Sequence, residues 1–138
     1  MICTFFGHRD SPDSIIPNVR EAIKMQVANG TTTFYVGNHG KFDAIALFCL
    51  RELKKELPEI KYFVVLAYLP TGQNSLCETI FPEGVEFVPK RFAIDFRNRW
   101  MLDRADSVIA YVTHSWGGAA KYVKSAERKG KTVVRIEQ

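Results

Sequence analysis

Three times in this chain a short apolar run rich in β-branched and aromatic residues stops at a glycine-and-histidine turn, and a helical pattern starts behind it. Residues 2–6 end at Gly7-His8-Arg9, residues 32–36 at Gly37-Asn38-His39-Gly40, and residues 108–112 run into His114-Ser115-Trp116-Gly117-Gly118. Runs of that length and composition read as buried strands. Behind the first, Ile15, Ile16, Val19, Ile23 and Val27 recur at the spacing of one helix face. Behind the third, Ala119, Val123 and Ala126 do the same. Strand, turn and helix repeated with one polarity leaves few folds. The pattern predicts a parallel sheet with right-handed helical crossovers.

The rest of the chain fits that frame. Ser11 or Asp13 is placed to cap the first helix, and Asn29-Gly30 ends it. A second helix is predicted over 43–57, with Ile45, Phe48, Cys49 and Leu53 inward and Pro58 beyond its end. Residues 61–69 are nearly all apolar, as for a strand covered on both faces. Residues 70–84 carry turn formers and little periodicity and read as a long loop over one end of the sheet, with 85–88 a short extended piece. A third helix over 91–104 and a last strand over 132–136 complete the order. The expected architecture is α/β: a Rossmann-like three-layer sandwich with a mainly five-stranded parallel sheet, helices on both faces, and residues 1–138 as one domain.

Composition narrows the class. Of 138 residues, 46% are hydrophobic and 25% charged, an ordinary globular balance. No apolar run approaches the roughly 20 residues of a membrane span, and the N-terminus lacks the basic region of a signal peptide. Cys3, Cys49 and Cys77 show neither disulfide nor zinc spacing, so a reducing cytoplasm is expected. The net charge of +4 is diffuse. It suits an anionic small molecule and, spread as it is, disfavours nucleic acid as a partner.

In a doubly wound sheet, ligands bind beyond the carboxyl ends of the strands. All three glycine turns and all three histidines are predicted at that edge. The candidate ligand-binding set there is Gly7, His8, Arg9, Gly37, Asn38, His39, Gly40, Asp43, His114, Trp116, Gly117, Gly118 and Lys121. The paired glycines ahead of the last helix offer unpaired N–H groups to an anion, Lys121 adds charge, and Arg9 offers a planar fork. Asp43 either takes ribose hydroxyls or complements a helix start. Trp116 either stacks a base or packs locally. Three histidines raise zinc, but their strand spacing sets the outer two roughly 10 Å apart, and no metal or other cofactor is expected. A phosphoacceptor receiver is excluded, because strand one ends in His8-Arg9 and strand three in Tyr68-Leu69, not in the aspartates that hold Mg²⁺. A flavin carrier needs a hydroxyl-rich phosphate loop and aromatic stackers, and the first turn, FGHRDSPDS, matches that only weakly.

FFGHRD, VGNHGKFDAIA and RNRWMLDRADSVIAY followed by GGAAKYVKSAERKGKTVVRI together resemble the SLOG superfamily, the relatives of DprA, of the cytokinin-activating LOG enzymes and of YpsA-like proteins. The resemblance spans nearly the whole chain. It implies a Rossmann-like domain that binds a nucleotide-derived ligand, such as an ADP-ribose- or NAD-like molecule, and it adds Arg97 and Asn98 to the candidate set. LOG phosphoribohydrolases carry a glutamate in the turn that follows their paired glycines. Here Lys124 falls at its place, and Ala120 and Lys121 replace Gly-Thr. A cation there opposes an oxocarbenium-like centre, so no catalytic residue is assigned and a sensor, carrier or sequestering module is expected, with a LOG-like N-glycosidic hydrolase as the alternative. The resemblance and the apolar Phe92, Phe96, Trp100 and Met101 of the third helix suggest a homodimer or larger assembly.

Overall fold

A computed structural model describes residues 1–68 and 78–137. The elements are β1 (Ile2–Gly7), α1 (Ile16–Ala28), β2 (Thr33–Val36), α2 (Lys41–Glu56), β3 (Lys61–Val65), β4 (Thr79–Ile80), α3 (Lys90–Arg104), β5 (Ser107–Tyr111), α4 (Gly118–Arg128) and β6 (Thr132–Arg135). The strands form one sheet in the order β4-β3-β2-β1-β5-β6, and every pair is parallel. The α/β class and the two helical layers are as expected. The strand count is six, not mainly five: β4 pairs with β3 through only two residues, too few to leave any periodicity in the sequence.

Consecutive residues of a strand face opposite sides of its sheet, and β1 shows it at Phe5 and Phe6. Phe5 joins Phe34, Phe42, Leu50 and Ile109 under α1 and α2. Phe6 joins Met101, Leu102, Val108, Tyr122 and Val123 under α3 and α4. Each such buried side chain contributes about 1.5–3 kcal/mol.

Several local expectations change. Residues 85–88 are not one extended piece: Val85–Phe87 form a 3₁₀ turn and Val88 alone is extended. β3 stops at Val65, and the predicted end of that strand at residue 69 lies outside the described residues, as does Cys77. Neither Ser11 nor Asp13 caps α1. The Ser11 hydroxyl donates to the His8 carbonyl at 2.7 Å, and Asp13 pairs with Lys41 at 2.8 Å. Asp106, just beyond the end of α3, accepts the Ile2 N–H at 2.8 Å and tethers the start of β1.

The apolar stripe of α3 turns inward. Met101 is fully buried, Phe96 and Trp100 pack on the chain's own clusters, and of the four only Phe92 is exposed. Three of the four apolar side chains that suggested an interface on this helix are thus used within the chain itself. No helix among the described residues is long and apolar enough to cross a membrane.

β1 sits mid-sheet with β2 on one side and β5 on the other. The connection from β1 goes one way and the later strands are added the other way. That reversal opens a crevice beyond the carboxyl ends of β1 and β5.

Candidate functional site

The crevice is a cleft of about 430 Å³, lined by the turn after β1, the turn after β5, the start of α4 and the inner face of α3. Gly7, His8, Arg9, His39, Asp43, Arg97, Asn98, His114, Trp116, Gly117 and Gly118 of the candidate set line it. Gly37, Asn38, Gly40 and Lys121 do not. Lys121 turns away to pair with Asp95 at 3.0 Å. Asp10, Ile94, Ala119 and Tyr122 line the cleft without having been singled out. Ile94 reaches the cleft from α3 and Ala119 and Tyr122 from α4, so their place depends on how these helices lie against the sheet, which no local pattern encodes.

Arg97 organises the floor. It sits on the inner stripe of α3 with Ala93 and Met101, only 2% exposed. Its guanidinium donates to the Val65 carbonyl at the end of β3 (3.0 Å), to Asn98 Oδ1 (2.7 Å) and to Asn38 Oδ1 (3.4 Å). It also faces His39 Nδ1 at 3.5 Å. A guanidinium can only donate, so His39 Nδ1 is the acceptor and the imidazole is neutral. Burial, then Arg97 and Arg9, hold the His39 pKa below its ordinary value. Gly37 has no room for a side chain: a Cβ there would lie 2.7 Å from Asp43 Oδ2 and 2.8 Å from Arg97 Nη1. Asp43 accepts the His39 N–H at 3.0 Å. Burial pushes its carboxyl up to about 6, against the pull of that hydrogen bond and of Arg97 and Arg9. Through this hydrogen bond Asp43 complements the start of α2 while also lining the cleft.

Arg9 is exposed at the rim. Its carbonyl accepts the Lys41 N–H at 2.8 Å, which occupies the start of α2. Gly40, at φ 94°, lets the chain pass there, since a Cβ would meet Arg9 Cα at 2.9 Å. The two turns thus fix Arg9 relative to α2.

The third turn builds a ladder of rings. His8, buried, stacks on His114 with centroids 3.9 Å apart and planes at 19°, and His114 stacks on Trp116 at 3.8 Å and 21°. The Thr113 N–H donates to His8 Nε2 at 2.7 Å, so His8 carries its proton on Nδ1. Burial and His114 lower its pKa, with Asp10 opposing. His114 Nδ1 donates to the Trp116 carbonyl at 2.8 Å. The ladder ends at an indole that is 69% exposed. His8 and His114 meet face to face, which gives them no common lone-pair point, and the described residues contain no group of three that could hold a metal.

Beside the ladder, Gly117 takes φ 92° as N-cap of α4, a conformation that requires glycine. Gly118 is different. Its φ is ordinary and a Cβ would meet nothing within 4 Å. Neither conformation nor packing in the protein itself requires glycine there. Gly117, Gly118 and Ala119, at the start of α4, line the cleft, and the first N–H groups of a helix have no partner within it. Lys124 lies outside the cleft and donates to the Ser115 carbonyl at 3.2 Å.

The architecture and the placement of the cleft define a Rossmann-like α/β protein with a switch-point site. Among solved structures, DNA processing protein A (DprA) of Streptococcus pneumoniae is similar over 99% of this chain and 50% of its own, with a TM-score of 0.70 and 16% identity. DprA of Helicobacter pylori, the subject of a study of its single-stranded DNA binding mode, is similar over 100% of this chain and 66% of its own, with a TM-score of 0.67 and 16% identity. The chain thus spans half of one and about two thirds of the other. No family model and no curated protein matches it. The likeness bears out the DprA side of the SLOG resemblance in fold, and gives no support to its LOG or YpsA sides in particular.

It also overturns two expectations, a free nucleotide-derived ligand and the disfavouring of nucleic acid. A protein that holds single-stranded DNA has this fold throughout the length of the chain. Inference from a diffuse +4 fails because net charge averages over a surface, whereas a strand is held by the local field of one edge.

Proposed function

We propose that this chain binds single-stranded DNA in the cleft beyond β1 and β5, as a DprA-like member of the SLOG superfamily. The observation that carries the reading is the ring ladder beside the phosphate-sized turn. An exposed indole backed by two stacked imidazoles offers a flat face to an unpaired base. Within the same cleft, the open N–H groups at Gly118 and the Arg9 fork offer donors to the adjoining phosphate. Bases in a duplex are stacked on one another and present no free face, so the site selects single strands. His8, His39 and Asp43 support this geometry without contributing net positive charge, because both imidazoles are neutral. The attraction for phosphate comes from Arg9 and Arg97.

The test is fluorescence anisotropy with a labelled oligothymidylate. Trp116→Ala removes one stacking face and is expected to weaken binding by about 1–3 kcal/mol. Arg9→Ala is expected to weaken it by roughly 1.5–3 kcal/mol, the range for hydrogen bonds to charged groups. Circular dichroism is expected to show both proteins folded. Wild-type affinity in both variants removes the cleft from the interface.

A further inference from the structure

A second groove of about 610 Å³ adjoins the cleft, sharing Gly117 with it and running along the outer face of α4. Its long wall carries Lys121, Lys124 and Arg128, spaced by three and then four residues and so on a single helix face, while Ala120, Val123 and Ala126 of the same helix face the core. We propose that this stripe is the exit track of the bound strand: single-stranded DNA whose base stacks on Trp116 continues with its phosphates along Lys121, Lys124 and Arg128. This inference rests on the reading of the cleft given above.

Three features of the structure support it. From Gly117 to Arg128 the helix rises by roughly 16 Å, a run longer than one phosphate group needs. Glu127, the acidic residue in the groove, is turned to Arg135 at 3.2 Å, so its charge is already matched. Arg128 has no partner among the described residues, and Lys124 spends one donor on the Ser115 carbonyl and keeps two. Lys121 is the exception, held by Asp95 at 3.0 Å, and it marks the side of the track nearest α3. Trp116 lines the cleft, and its two chain neighbours, Ser115 and Gly117, both line the groove. A strand leaving the indole therefore meets the stripe next.

The experiment compares a short oligothymidylate of about four nucleotides with one of about 16, the range of single-strand site sizes, on wild-type protein and on the double variant Lys124→Gln/Arg128→Gln. Both residues are exposed, so the fold is expected to be retained. The expected result is a loss of roughly tenfold in affinity for the long strand and less than twofold for the short one. The slope of log K against log salt for the long strand should fall by about 1.4, at about 0.7 per single-strand phosphate. A charge-keeping variant, Lys124→Arg/Arg128→Lys, should behave as wild type. Equal affinities for both lengths, with no effect of the double variant, would overturn the track and leave the cleft reading standing. Linear polyphosphate that binds as tightly as the long strand, and loses as much in the variant, would also overturn it, since no base would then lead the strand in. Binding of neither strand to the wild type overturns the cleft reading and the track together.

Discussion

At the residue scale, the site depends on where charge is buried. Arg97 is a full positive charge on the apolar stripe of a helix, tolerated because a strand-end carbonyl, two asparagine oxygens and the half-buried Asp43 surround it. Asp43 is the group whose protonation this arrangement moves into an accessible range, from the ordinary 3.8 to about 6. The native protein therefore holds that proton more tightly than the unfolded chain does. Its contribution to stability is fully present below about pH 4 and is lost as pH rises through 6, amounting to about 3 kcal/mol. His8 and His39, with lowered pKa values, act in the opposite direction below about pH 6.5, so the wild-type profile alone mixes the two. Denaturant unfolding of wild type and Asp43→Asn from pH 4 to 7 isolates the carboxyl: the difference between them should change steadily across that range. A constant difference would place Asp43 in an ordinary solvated setting. Arg97 shows the limit of sequence reading. Its place in a motif came from resemblance, but its burial against β3 followed only from the packing of α3.

At the element scale, three strand-turn-helix units built the edge, and these were largely legible. Apolar runs with glycine turns placed β1, β2, β5 and the helices behind them to within a few residues, because strand burial and helix amphipathicity both leave a period in the chain. β4 and the 3₁₀ turn at Val85–Phe87 left none, being two and three residues long. What the glycines do was not legible. Gly7 is fixed by packing, since a Cβ would lie 2.2 Å from the Phe42 ring, whereas Gly117 is fixed by its backbone angle. Gly118 is fixed by neither, and under the proposed function it gives a bound strand close approach to the backbone. Gly118→Ala should leave thermal stability unchanged or raise it by about 0.4–1 kcal/mol, through the smaller entropy of its unfolded chain, while weakening oligonucleotide binding. Gly117→Ala should lower stability instead. If Gly118→Ala bound DNA as wild type does, the strand would not approach the start of α4.

At the scale of the whole molecule, one parallel sheet places two arginines, a helix start and a ladder of rings at a single edge, and the groove along α4 continues from it. The fold class was read from the order of elements alone. The expectation that disfavoured nucleic acid conflicts with the DprA neighbours; it rested on length, composition and net charge, which average over the surface and say nothing of one exposed indole. That indole gives the most direct test of the claim that this edge takes an unpaired base. Trp116 is 69% exposed, whereas Trp100 is packed between Tyr35 and the Arg104 guanidinium, 4.0 Å from the latter. Tryptophan emission is followed as oligothymidylate is added to wild type, Trp100→Phe and Trp116→Phe, with the same sequence in duplex form as control. The account expects saturable quenching in wild type and in Trp100→Phe, none in Trp116→Phe, and little from the duplex. Saturable binding of the single strand that leaves Trp116 emission unchanged would contradict it.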